Sequence, residues 1–83
     1  RANIYYYRTS DQKEIDFILE ISGKLIAVEV KSSKTISKDD FKHIYHLQEN
    51  LQSKFDKGIV FYAGDTAVKL DDDMFALPFG FMG

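Results

Sequence analysis

The chain has 83 residues, 45% of them apolar, a formal net charge of −2 and no cysteine. This length supports one small domain with a poor surface-to-volume ratio, and the apolar fraction excludes a disordered chain. Disulfide scaffolds and thiolate zinc sites are excluded as well, and the interspersed charges argue against a dedicated, strongly basic nucleic-acid-binding module.

The longest apolar stretches are strand-sized, well short of the roughly 20 residues of a membrane span. No membrane partner is therefore expected, and a cytoplasmic location is. The opening Arg1-Ala2-Asn3 has no initiator methionine and no apolar leader core, and it runs directly into strand-like sequence. It reads as a cut inside a longer polypeptide, so residues 1–83 are expected to be a single domain from the C-terminal part of a larger protein.

In chain order, Ile4–Arg8 (IYYYR) is β-branched and aromatic and predicts a strand. After the polar turn Thr9–Gln12, Lys13–Ser22 alternates closely. Ile15, Phe17, Leu19 and Ile21 face one way, and Glu14, Asp16, Ile18 and Glu20 the other. Gly23 marks a tight turn, and Leu25–Lys31 (LIAVEVK) alternates again, with Ile26, Val28 and Val30 as the expected core face. Ser37 then reads as a helix N-cap with Asp40 as the capping-box acid. Phe41, Ile44, Leu47, Leu51 and Phe55 fall at spacings of three and four, which predicts an amphipathic helix from Lys38 to about Phe55, stopped by Gly58. Gly58–Ala63 (GIVFYA) is a near-continuous apolar run and predicts a buried strand. Ala67–Leu70 and Met74–Leu77 predict a hairpin around Asp71-Asp72-Asp73. The expected class is α/β (α+β): three strands, a helix, then further strands in a mixed sheet.

The informative chemistry lies in the second and third strands. A hairpin turning at Gly23-Lys24 sets Asp16 across from Lys31, whereas one turning at Ser22-Gly23 sets Asp16 across from Glu29. In either register Glu14, Asp16, Glu29 and Lys31 share one sheet face, because side chains alternate with period two. Opposed Cβ atoms lie about 4.5–5.5 Å apart, so three acids and a lysine converge. Neighbouring carboxylates repel, and a hard divalent cation such as Mg²⁺ or Mn²⁺ relieves the repulsion through oxygen ligands and retained waters. Such a metal activates water and stabilises charge on a phosphoryl group, and a lysine beside it steadies developing negative charge. The same four residues are equally compatible with an ordinary charged outer face carrying cross-strand acid–lysine pairs.

Glu14-Ile15-Asp16-Phe17, twelve intervening residues after Asp16, and Glu29-Val30-Lys31 together resemble the D…(D/E)XK signature of restriction-endonuclease-like nucleases. The chain as a whole is similar to the uncharacterised C-terminal domain carried by many prokaryotic AAA-type ATPases. The pieces that match are YYYR (Tyr5–Arg8), EIDF (Glu14–Phe17), VEVKSS (Val28–Ser33), GIVFYAGD (Gly58–Asp65) and ALP (Ala76–Pro78). The resemblance implies a restriction-endonuclease-like mixed sheet and metal ligation by Asp16 and Glu29, with the Val30 carbonyl as a further ligand candidate. It also implies a catalytic role for Lys31 and supporting roles for Glu14 and Arg8. The implied activity is Mg²⁺- or Mn²⁺-dependent cleavage of nucleic-acid phosphodiesters, coupled to an N-terminal ATPase domain of the same polypeptide. The alternative is a catalytically inactive interaction module of that ATPase. The nuclease fold normally has a helix before its first core strand, often with a further acid, and this chain begins after that point.

The remaining features read as structural. His43 and His46 lie three apart on the helix without an evident third ligand. Tyr45 and Gln48 read as packing or solvated residues, not substrate contacts. Asp71–Asp73 reads as a solvated turn, since it lacks the glycine and distal glutamate of a calcium loop. Lys24, Lys31, Lys34, Lys38 and Lys42 read as a solvated face. Tyr5 and Tyr7 share the site face if the first hairpin turns at Ser10-Asp11, and packing is favoured over base stacking. Phe75, Phe79, Phe81 and Met82 form an apolar tail expected to dock on the rest of the parent protein.

Overall fold

The computed structural model describes residues 2–6 and 17–82. Its architecture is mixed α+β: a six-stranded sheet with one α-helix crossing between its two central strands. The strands are β1 (Ala2–Tyr6), β2 (Phe17–Ile21), β3 (Lys24–Val30), β4 (Phe55–Tyr62), β5 (Val68–Asp71) and β6 (Met74–Pro78), and the helix is α1 (Lys42–Leu51). In space the order is β1-β2-β3-β4-β6-β5. β3, β4 and β6 run parallel, while β1, β2 and β5 pair antiparallel with their neighbours.

The β2–β3 hairpin turns at Ser22-Gly23, with φ of 53° and 81° at the two positions. Two successive left-handed residues make a two-residue hairpin turn whose twist matches the strands. Its register pairs Phe17 with Val28 and Ile18 with Ala27. Of the two registers open from sequence, this is the one with the Ser22-Gly23 turn. The β1–β2 register sets Tyr5 opposite Ile18. Tyr7 and the Ser10-Asp11 turn lie outside the described residues.

The main core fills the space between the sheet and α1. Ala27, Phe41, Ile44, Val60, Met74 and Ala76 are fully buried there, joined by Ile18, Phe55 and Tyr62. Full burial of a large apolar side chain is worth roughly 1.5–3 kcal/mol, so Phe41, Ile44 and Met74 anchor the helix. The expected core face of β3 holds for Ile26 and Val28 but not for Val30, which is only half-buried. Ile26 and Val28 are buried, but the face that meets the helix belongs to Ala27, because helix packing selects the side of the sheet on which the crossover runs.

The helical segment is also divided differently from its periodicity. A 3-10 turn (Lys38–Phe41) precedes α1, and a second (Gln52–Lys54) follows it. The stop comes at Gln52, which adopts a left-handed φ of 55° and donates its backbone N–H to the Gln48 carbonyl. Phe55 therefore opens β4 instead of closing the helix, and reaches the core from the strand. Gly58 is not the helix stop. It sits inside β4, where a Cβ would meet Ile44 Cγ2 and lie 2.8 Å from Met74 Sδ. A close approach of α1 to the sheet requires glycine there. No helix among the described residues is long and apolar enough to cross a membrane.

Candidate metal and phosphodiester site at the end of β3

β3 carries Glu29 and Lys31 to the carboxyl end of the parallel part of the sheet. Its pairing with β4 continues past the strand: the Lys31 N–H donates to the Phe61 carbonyl (2.9 Å) and the Ala63 N–H to the Ser33 carbonyl (2.9 Å). In sheets with parallel crossovers, ligands bind beyond the carboxyl ends of the strands; Lys31 stands just past that end, and Glu29 is the penultimate residue of β3.

Glu29 pairs in register with Val60. Two residues after Ala27, it shares the sheet face covered by α1. Its side chain is half-buried, and Oε1 is closed off from solvent. A carboxylate drawn out of water in this way is costly unless donors or a cation compensate it. A carboxylate oxygen is the donor type that Mg²⁺ prefers.

Lys31 bonds to Asp40: Nζ lies 2.6 Å from Oδ1, with both side chains about three-quarters buried (22% and 25% exposed). The other Asp40 oxygen, Oδ2, accepts the Ser37 backbone N–H (2.7 Å) and the Ser37 hydroxyl (3.3 Å). One carboxylate thus completes the capping box of the 3-10 turn and fixes the ammonium at the end of β3. Partial burial pushes the Asp40 carboxyl upward, but the hydrogen bond from Lys31, the Ser37 N–H and the Lys31 charge outweigh it. The net effect is a carboxyl held below its ordinary value of 3.8. The loop between strand and turn is braced by Ser33, whose Oγ accepts the Thr35 N–H (3.1 Å).

Sequence reasoning identified Asp40 as a capping acid and missed it as the partner of Lys31. The signal was the cap itself. A parallel crossover must bring the start of its helical segment back over the strand it leaves, so the capping acid and the strand-end lysine meet. Of the other candidate site residues, Asp16, Glu14 and Arg8 lie outside the described residues.

The secondary candidates are now placed. The Tyr45 hydroxyl donates to Asp71 Oδ2 (3.1 Å), and Gln48 Nε2 to Asp73 Oδ2 (3.4 Å). Lys38 lies 5.6 Å over the Tyr45 ring. The triple-aspartate turn is therefore more than solvated: two of its acids tie the β5–β6 turn to α1. Burial, the bond to Asp71 and its charge all raise the Tyr45 phenol above 10.0. His43 is half-buried and His46 exposed. Among the described residues no group of three or more His, Cys, Asp or Glu stands close enough to hold a metal.

No curated protein and no protein of known structure matches the chain. Residues 1–82 match the family described as a domain of unknown function, DUF4143. With that match spanning almost the whole sequence, the chain belongs to the DUF4143 family.

Proposed function

We infer that the domain is a metal-dependent, restriction-endonuclease-like unit that hydrolyses nucleic-acid phosphodiesters and works beside an ATPase module of the same polypeptide. The observation that carries the reading is the end of β3. There Glu29, with one carboxylate oxygen shielded from solvent, stands two residues before Lys31, whose ammonium Asp40 holds in place. Link to an ATPase rests on the resemblance of YYYR, EIDF, VEVKSS and GIVFYAGD to the ATPase-borne domain.

The donor chemistry fits a hard cation that keeps most of its water, since Mg²⁺ needs only one or two protein carboxylates. Glu29 and Asp16 are the residues assigned to hold it. When bound, the metal supplies a Lewis acid for the phosphoryl oxygen and lowers the pKa of water. Lys31 provides fixed positive charge where the pentacoordinate phosphorus gathers negative charge. Asp40 fixes its position in advance, so little reorganisation accompanies the reaction. Glu14 and Arg8 are assigned supporting contacts to substrate.

A second reading, the inactive interaction module, is favoured by one specific observation. The Lys31–Asp40 ion pair, joined to the capping box, is a complete structural role for both residues.

The deciding measurement is an Mn²⁺ titration of the chain by NMR, in wild type and in Asp16→Asn. The nuclease reading expects paramagnetic broadening centred on Asp16 and Glu29 that the substitution abolishes, followed by Mg²⁺-dependent cleavage of labelled DNA or RNA. Broadening that stays diffuse at millimolar Mn²⁺ in wild type refutes it and leaves the interaction module.

A further inference from the structure

Tyr62 closes β4 at the carboxyl end of the sheet, with its ring in the core beneath α1 and only 4% exposed. A buried phenol needs a partner for its hydroxyl, and Tyr62 finds one four residues on: the hydroxyl donates to the Thr66 carbonyl (2.6 Å). That bond folds the β4–β5 loop, residues 63–67, back over the ring. Gly64 comes so near that a Cβ there would meet Tyr62 Cε2 and lie 2.6 Å from Cζ and 2.8 Å from Oη. The absence of a side chain at Gly64 lets the loop settle against the phenol. Within the loop, the Thr66 hydroxyl donates to Asp65 Oδ1 (3.1 Å).

The same loop is tied to the segment that carries the Lys31–Asp40 pair. Glu29 pairs with Val60 and Val30 with Phe61, which brings Lys31 alongside Tyr62. The Lys31 N–H donates to the Phe61 carbonyl, immediately before Tyr62, and the Ala63 N–H, immediately after it, to the Ser33 carbonyl. Ser33 leads through Thr35, whose N–H its Oγ accepts (3.1 Å), to Ser37 and the capping carboxylate of Asp40. Backbone bonds on both sides of Tyr62 therefore reach the segment from Lys31 to Asp40.

We propose that Tyr62 is a positioning residue for Lys31: by pinning the β4–β5 loop, its hydroxyl fixes the end of β3 and the segment that bears Asp40. A lysine ammonium sits on a flexible four-carbon stem, and a charge assists a reaction most when it is already in place. Asp40 holds the tip of the Lys31 side chain, and the ladder to β4 on either side of Tyr62 holds its root. As a contribution to catalysis this rests on the nuclease reading above; as a means of holding Lys31 it does not.

The test compares the full chain with three variants by NMR amide hydrogen exchange. Tyr62→Phe keeps the buried ring and deletes the hydroxyl, whereas Gly64→Ala keeps the hydroxyl and displaces the ring. Ile44→Val, a core change beneath α1, is the control for a general loss of stability. In both loop variants, exchange of the Ala63 and Ser37 amides, bonded to Ser33 and Asp40, is expected to rise about tenfold, the factor for one lost hydrogen bond. In Ile44→Val these two amides should change no more than the rest of the sheet. In Mg²⁺-dependent cleavage of labelled DNA or RNA, Tyr62→Phe should lower kcat about tenfold at unchanged KM, and adding Asp40→Asn should cost little further, since both act through Lys31. Unchanged exchange at Ala63 and Ser37 in Tyr62→Phe overturns the proposal, as does a rise shared by all core amides or matched by Ile44→Val. A localised rise in a chain that cleaves neither DNA nor RNA upholds the positioning role and removes the nuclease reading. Cleavage that Tyr62→Phe leaves intact, with unchanged exchange, removes the positioning role and leaves the nuclease reading standing.

Discussion

Asp40 serves two structures with its two oxygens, and substitutions at this position separate them. Asp40→Asn removes the charge facing Lys31 while keeping an oxygen that can accept the Ser37 N–H; Asp40→Ala removes both. A well-placed, partly exposed ion pair is worth up to about 1 kcal/mol, and loss of a cap about 1 kcal/mol. Asparagine is therefore expected to cost about 1 kcal/mol and alanine about 2 kcal/mol. At this chain length each kcal/mol lowers the Tm by roughly 4–8 °C, so calorimetry resolves the two steps. Pairing Asp40→Asn with Lys31→Met in a double-mutant cycle isolates the ion pair, with a coupling of about 1 kcal/mol expected. Additivity to within about 0.3 kcal/mol refutes the reasoning, because Lys31 would then be held by something other than Asp40.

Three more outcomes follow from the same structure. Asp40 titrates below 3.8 when folded, so its ionised form stabilises the native state fully above pH 3.8. That contribution is lost as pH falls through the lower folded value, and the urea-unfolding gap between wild type and Asp40→Asn should close there; a gap that widens in acid contradicts the sign. Gly58→Ala places a methyl against Ile44 and Met74 and should destabilise by about 1–3 kcal/mol through overpacking, with neutral thermal melts as the contrary result. Ser22→Asn, at a left-handed φ of 53° followed by Gly23 at 81°, should stabilise by up to about 1 kcal/mol, because asparagine tolerates that conformation and favours this turn. A lowered Tm would show that the Ser22 side chain contributes more than its backbone strain costs.

Much of the fold was legible because its signals are local. Alternation in Phe17–Ile21 and Leu25–Val30 gave strands, the Ser22-Gly23 turn was one of two considered, and Ser37 with Asp40 gave the capping box. The i, i+3, i+4 spacing of Phe41, Ile44, Leu47 and Leu51 gave the helix face, and each of these four packs into or against the core. The spacing overran at Phe55, since a period cannot tell a buried helical position from the first buried residue of the next strand. Gly58 was misread for a related reason: its role depends on how closely α1 approaches β4, which no local pattern records.

By itself, then, the sequence determined which segments carry strand and helix character, that a tight turn falls at Gly23 in one of two registers, and that Glu29 and Lys31 share one sheet face, because all of these follow from side-chain period and backbone preference within a few residues. The tertiary structure alone decided the strand order, the choice of the Ala27 face for the main core, and the meeting of Lys31 with Asp40. Those features depend on where the crossover from β3 to β4 runs, and that is set by packing between residues far apart in the chain.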